Sequence, residues 1–179
     1  MPWYRKHGKI LVTYSEEDFV KAMEEGHFCK PEHKGFIALL HYTGVRKGEA
    51  LRAVKEQFSL QSDFLVFDVK KRFKHGKVTP PLKIRKDLPY VMDIWKAVEK
   101  AKPNETVFSF TSRTAYNIID RVLKYPHYER LNRITTFFKE KRSIVEVQNW
   151  TGLSLQALDY YLGLVSIEEM AKEMGKSQN

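Results

Sequence analysis

Arg46 stands at a joint between two helical patterns. The run from Leu39 to Leu51 reads L-L-H-Y-T-G-V-R-K-G-E-A-L. An apolar stripe stops at Gly44, a residue type that closes helices in the left-handed conformation. A second amphipathic pattern follows at once, with Ala50, Leu51, Val54 and Phe58 at helical spacing. A guanidinium at such a corner faces outward with few rotamers left to lose, which suits a fixed phosphate acceptor. Glu49, one turn on, lies within its reach. The charge total points the same way: a net charge of +9 and a pI near 9.5 imply a polyanionic partner, nucleic acid first. Basic residues cluster at Arg5–Lys9, Lys70–Lys77, Lys83–Lys86 and Arg130–Arg142. Such clusters attract phosphates without any chemistry, so basicity separates nucleic-acid proteins from others but not enzymes from binders.

A protein nucleophile that cuts and rejoins a phosphodiester needs few parts. The phosphate charge must be neutralised, best by planar bidentate donors. The leaving oxygen needs a proton, and the attacking oxygen must lie in line with it. Thr43, Gly44, Arg46, Glu49 and Leu51 resemble the first arginine box of the tyrosine recombinases, or phage integrases, roughly T-G-x-R-x-x-E-x-L. That family carries a second arginine in H-x-x-R at a helix start. Arg130-Leu131-Asn132-Arg133 stands at that place, so Arg133 aligns with the second arginine and Arg130 with the histidine. An arginine cannot act as a base at neutral pH, which leaves the acceptor of the tyrosine proton unassigned. The archaeal viral integrases also vary there, and the resemblance extends to that type.

The same resemblance implies a hairpin lysine that protonates the leaving oxygen. Lys74, beside the His75–Gly76 turn, is the choice, with Lys71 and Lys77 as alternatives. Lys70, Lys71, Arg72 and Lys77 are expected to contact DNA. The family ends in a pattern like L-G-H-S-x-L-x-T-T-x-x-Y. Here Gly152, Ser154 and the final Tyr161-Leu162 agree, Leu153 replaces the second histidine, and Trp150 is the expected supporting donor. Tyr161 is the expected nucleophile and Tyr160 its alternative. A phenol titrates at about 10, so attack requires nearby positive charge.

The activity implied is site-specific DNA recombination. Tyr161 would attack a DNA phosphate to give a 3′-phosphotyrosyl bond and a free 5′-OH. Arg46 and Arg133 would hold the non-bridging oxygens, and the covalent bond conserves the energy, so no cofactor is required. Double-stranded DNA is the expected partner, with homo-oligomers on the DNA. The family's N-terminal DNA-clamping domain has no counterpart in these residues, so the chain reads as a separately expressed catalytic fragment or a reduced protein. A competing reading takes residues 143–162 as a helix-turn-helix of a non-catalytic DNA-binding protein, with Gly152 in the turn and Ser154 capping the second helix. That second helix has no Arg, Lys or Asn to read bases, and Gln156 is its one plausible reader.

These residues need a scaffold, and the periodicities describe a mainly α-helical domain with a small antiparallel hairpin or sheet. Residues 1–14 read as a basic arm with a short strand at Ile10–Val12. Ser15 and Asp18 form a capping box for a helix whose stripe is Phe19, Ala22 and Met23. Pro31 and Gly35 mark a loop, and Gly35–Tyr42 the next helix. Phe64–Val69 and Val78–Ile84 form the hairpin. Helices follow over Asp87–Ala101 and Ser112–Lys124, then over Tyr128–Lys139, Ser143–Trp150 and Ser154–Leu162. Ser166 with Glu169 caps a last helix, which docks on a neighbouring protomer or covers its own core.

The catalytic domain is thus expected over residues 15–175, with 176–179 a disordered tail. The single cysteine, Cys29, cannot form an internal disulfide, and no zinc-ligand spacing is present. No apolar run is long enough for a membrane span, and the N-terminus lacks a signal-peptide core. The expected location is cytoplasmic, in the host cytoplasm if the protein is viral.

Overall fold

The structure, a computed structural model, describes residues 5–6, 9–10, 15–28, 30–69, 80–123 and 128–163. Two short strands, β1 (Arg5–Lys6) and β2 (Lys9–Ile10), pair antiparallel in the N-terminal arm. Helix α1 (Glu16–Glu25) begins at the Ser15–Asp18 capping box, with both reciprocal hydrogen bonds made. It buries Phe19 and Met23.

Helix α2 (Pro31–Thr43) is the central element, with every residue from Gly35 to Thr43 buried. It starts four residues before the expected Gly35. Pro31 sits in the first turn, where its missing N–H costs nothing, so the proline opens the helix rather than marking a loop. Gly44 closes α2 at φ 63°, donating its N–H to the Leu40 carbonyl at 2.8 Å.

The second amphipathic pattern is interrupted. Helix α3 spans only Lys47–Leu51, a 3-10 turn covers Lys55–Gln57, and Phe58 lies in strand β3 (Phe58–Leu60) rather than on a helix. Phe58 faces Phe67 across the strand pair, their rings stacked at 4.4 Å. That cross-strand contact outweighs the helical spacing read from the chain. Strands β4 (Phe64–Phe67) and β5 (Leu82–Arg85) complete a three-stranded antiparallel sheet in the order β3-β4-β5. The hairpin thus gains a third strand, and residues 70–79 between β4 and β5 lie outside the described residues.

Helix α4 (Val91–Lys100) starts later than Asp87. Asp87 is instead paired with Arg85, and Pro89 and a left-handed Tyr90 (φ 62°) delay the helix. Helix α5 (Ser112–Leu123) buries Ala115, Ile118 and Ile119. Helices α6 (Tyr128–Lys139), α7 (Ile144–Thr151) and α8 (155–163) then form a second, smaller cluster. Its core is Leu131, Ile134, Phe137, Val147, Leu158 and Tyr161. Trp150 packs against both this cluster and the main core. The expected helix at Ser166 and the 176–179 tail lie outside the described residues. Among those described, no helix is long and apolar enough to cross a membrane.

Helices α2 and α4 approach closely at Gly35. A Cβ on Gly35 would stand 2.7 Å from the Asp93 carbonyl oxygen and 2.8 Å from the Ile94 nitrogen. Backbone cannot move aside as a flexible side chain would, so the helices must separate. Gly35→Ala is predicted to lower stability by about 1–3 kcal/mol, read as a lower urea midpoint. An unchanged midpoint would contradict this close approach.

Candidate active site

The site is built at two corners of similar chemistry. At the first, Thr43 donates its hydroxyl back to the Leu39 carbonyl, Gly44 takes the left-handed conformation, and the Val45 N–H donates to Thr43 Oγ1 at 3.3 Å. At the second, Thr151 donates to the Val147 carbonyl at 2.7 Å. Gly152 is left-handed at φ 65°, and the Leu153 N–H donates to Thr151 Oγ1 at 3.3 Å. The first corner delivers Arg46 at the start of α3. The second delivers α8, whose N-terminus is capped by Ser154 and which carries Tyr161.

Arg46 projects outward with 55% of its side chain exposed, whereas its partner Glu49 is only 17% exposed. The Glu49 carboxylate accepts the Arg46 backbone N–H at 2.7 Å and its Nη1 at 3.2 Å. Arg46 is therefore held in direction while most of its surface stays open to an incoming anion.

Arg130 joins the corners. It is buried, and its Nη1 donates to the Gly44 carbonyl at 2.7 Å while Nη2 donates to the Thr151 carbonyl at 2.9 Å. Its charge also acts on the Tyr161 phenol. Burial, then the charge of Arg46, pulls the Arg130 guanidinium below its usual range, and the Tyr161 phenol and Glu49 act in the opposite direction. Tyr161 is 8% exposed. Burial raises its phenol above the ordinary value, against the charges of Arg130 and Arg46. Three functional groups expected from different parts of the chain thus share one electrostatic neighbourhood.

Arg133 is placed elsewhere. Its guanidinium lies over the Phe137 ring at 4.4 Å, and its charge acts on His41 and Tyr42 of α2. A Cβ on Gly44 would meet the Arg133 Cβ at 3.2 Å, so this side chain starts from the α2–α6 contact. His41, stacked on Phe19 at 3.7 Å, is pushed down to about 3, first by burial and then by Arg133. Arg130 is the α6 arginine whose charge acts on Tyr161, while the charge of Arg133 acts on His41 and Tyr42. A sequence signal for this exists. His127-Tyr128-Glu129-Arg130 also spells H-x-x-R, three residues before the pairing of Arg130 with Arg133. His127 lies outside the described residues.

Tyr160 is 38% exposed and meets Tyr161 edge to face at 5.7 Å, so the two tyrosines occupy different settings. Trp150 donates its indole Nε1 to the Thr43 carbonyl at 2.9 Å. Lys70, Lys71, Arg72, Lys74 and Lys77 lie outside the described residues.

No family profile and no curated protein matches this chain. Solved structures do. The XerH site-specific recombinase bound to difH substrate in a pre-cleavage complex is similar over 82% of this chain and 48% of its own, at TM-score 0.67 and 18% identity. XerH on a palindromic difH substrate in a post-cleavage complex gives TM-score 0.66 and 17% identity, over 82% of this chain and 46% of its own. The XerA recombinase gives TM-score 0.62 and 18% identity, over 91% of this chain and 65% of its own. The chain spans about half the length of the XerH chains. The fold, mostly helical with one small three-stranded sheet, is that of tyrosine recombinase catalytic domains.

Replacing Arg130 by methionine keeps the apolar stem and abandons two buried carbonyls. The predicted cost is about 2–4 kcal/mol of stability, measured by urea unfolding. A loss below about 0.5 kcal/mol, the scale of a surface substitution, would show that the two carbonyls do not depend on this guanidinium.

Proposed function

We propose that this chain is the catalytic domain of a site-specific DNA recombinase that cleaves and rejoins DNA through a 3′-phosphotyrosyl intermediate, with Tyr161 as nucleophile. One arrangement carries the reading: Arg130, hydrogen-bonded to the Gly44 and Thr151 carbonyls, holds the corner that bears Arg46 beside the corner that leads into α8 and Tyr161. A phosphate seated among these groups would meet two guanidinium ions and one attacking oxygen. The Tyr161 oxygen forms a bond to phosphorus as the bond from phosphorus to the 5′ oxygen breaks. Attack by the freed 5′-OH of a second strand reverses the step and releases the tyrosine.

Each residue then has a task. Arg46 and Arg130 bind the non-bridging oxygens and stabilise the charge that grows in the transition state. Glu49 aims Arg46. With Arg130 in the arginine place of H-x-x-R, the histidine is His127, and it is assigned as the acceptor of the tyrosine proton on the motif alone. With that histidine present, the departure that pointed to the archaeal viral type falls away, and the reading is of the general family. Lys74 is assigned to protonate the leaving oxygen on the resemblance alone. Double-stranded DNA is the substrate, in keeping with the net charge of +9 and with the DNA complexes of the XerH recombinase. Protomers assemble on it.

The helix-turn-helix alternative finds less support. Helices α7 and α8 do flank a left-handed Gly152, but Leu158 and Tyr161 turn inward. The outer face of α8 shows Leu155, Gln156, Asp159 and Tyr160, with no cation to meet a phosphate.

Incubation with duplex DNA nicked beside a candidate site should yield an SDS-resistant protein–DNA adduct. Tyr161→Phe should abolish it while retaining DNA affinity, and Tyr160→Phe should leave it. Loss of the adduct in Tyr160→Phe alone would overturn the assignment, and no adduct on any site would favour a binding-only protein. The phenol sits above its ordinary range, so the phenolate fraction grows about tenfold per pH unit below its pKa. The adduct rate should therefore rise with pH between 6 and 9, and a rate falling over that window would contradict phenolate attack.

A further inference from the structure

The two corners are tied by three hydrogen bonds, and one of them has no part in holding phosphate. Two come from Arg130, to the Gly44 and Thr151 carbonyls. The third runs from Trp150 Nε1 to the Thr43 carbonyl at 2.9 Å, across 107 positions of the chain. The indole N–H is spent on backbone, one residue before Gly44 and three before Arg46. The ring is fixed as well: it meets Phe137 edge to face at 5.2 Å and packs on both hydrophobic clusters. Trp150 itself lies one residue before Thr151, whose carbonyl Arg130 also holds.

Beneath this bond sits Thr43. Its hydroxyl donates to Leu39 and accepts from the Val45 N–H, so it sets the backbone that leads directly into Arg46. Both Thr43 and Val45 are nearly fully buried. A displacement of either would move Arg46 relative to Tyr161 without removing a group that touches substrate.

We propose that Trp150 and Thr43 are positioning residues that lock the corner bearing Arg46 to the corner bearing Tyr161. This rests on the functional reading above and deepens it by naming what sets the arginine–tyrosine geometry. Trp150 acts through the Thr43 carbonyl, not through contact with DNA. Arg130 on α6 and Arg46 at the head of α3 both act on Tyr161 with their charge. If the corner drifts, the contribution of Arg46 weakens first, because Arg130 keeps its hydrogen bond to the Thr151 carbonyl at the corner that bears Tyr161. The phenol then loses part of the field that favours its ionised form.

The experiment measures adduct formation on nicked DNA against pH for the full chain, with thermal melting as the control for folding. Trp150→Phe keeps an aromatic ring, though a smaller one, and loses the donor. Thr43→Val loses both hydroxyl bonds, and Thr43→Ser keeps them. Trp150→Phe and Thr43→Val should each slow the adduct by about threefold to tenfold, the effect of one net hydrogen bond. Each should also displace the pH–rate profile upward, while Thr43→Ser restores both rate and profile. Two results would overturn the proposal: wild-type rates in both variants, or slower rates with an unshifted profile. Absence of any Tyr161 adduct in the parent chain would instead sink the functional reading, and this inference with it.

Discussion

One buried cation governs the organisation of the site. The Arg130 guanidinium is shared between two backbone carbonyls from distant parts of the chain, and its charge acts on a phenol from a third. Removing a charge from water is costly, and its planar donors offset that cost only when each finds a well-placed acceptor. Left-handed Gly44 and Gly152 end their helices so that the carbonyls of Gly44 and Thr151 meet one guanidinium. The two glycines are thus as much a part of the site as the arginine. Arg46 is exposed and open to a ligand, and Arg130, besides its task on the phosphate, fixes the frame around it.

The remainder of the fold serves to hold α2 and α6 against each other. Helix α2 is buried along most of its length, and Gly35 lets α4 approach its other side closely. Trp150 closes the seam between the main core and the small cluster under α8. Such a seam transmits position well because packed side chains do not deform continuously. It also explains why the candidate nucleophile is tucked in: Tyr161 completes the small cluster with its ring, and the charge of Arg130 acts on its phenol.

Much of this was legible in the residues. The Ser15–Asp18 box, the closing role of Gly44, the inward stripe of α5 and the boundaries of α6 all follow from local chemistry that needs no tertiary partner. Pro31 was misleading because proline both breaks and opens helices, and only the preceding backbone decides which. Phe58 kept helical spacing yet found its partner in Phe67, a contact that helical periodicity does not encode. The arginines were the hardest. Residues three apart on a helix lie about 60° from each other, so Arg130 and Arg133 share a face. Motif spacing fits both, and only packing separates the one beside Tyr161 from the one over Phe137.

In the proposed reaction Arg46 works on the charge of the same phosphate that Tyr161 attacks. The direct measurement compares adduct rates on an ordinary phosphodiester and on a neutral methylphosphonate at the cleaved position, for the parent chain and for Arg46→Ala. If the guanidinium neutralises that phosphate, Arg46→Ala should lose about 100-fold or more on the charged linkage and recover most of it on the neutral one. An equal defect on both linkages would mean that Arg46 does not act on the phosphate charge.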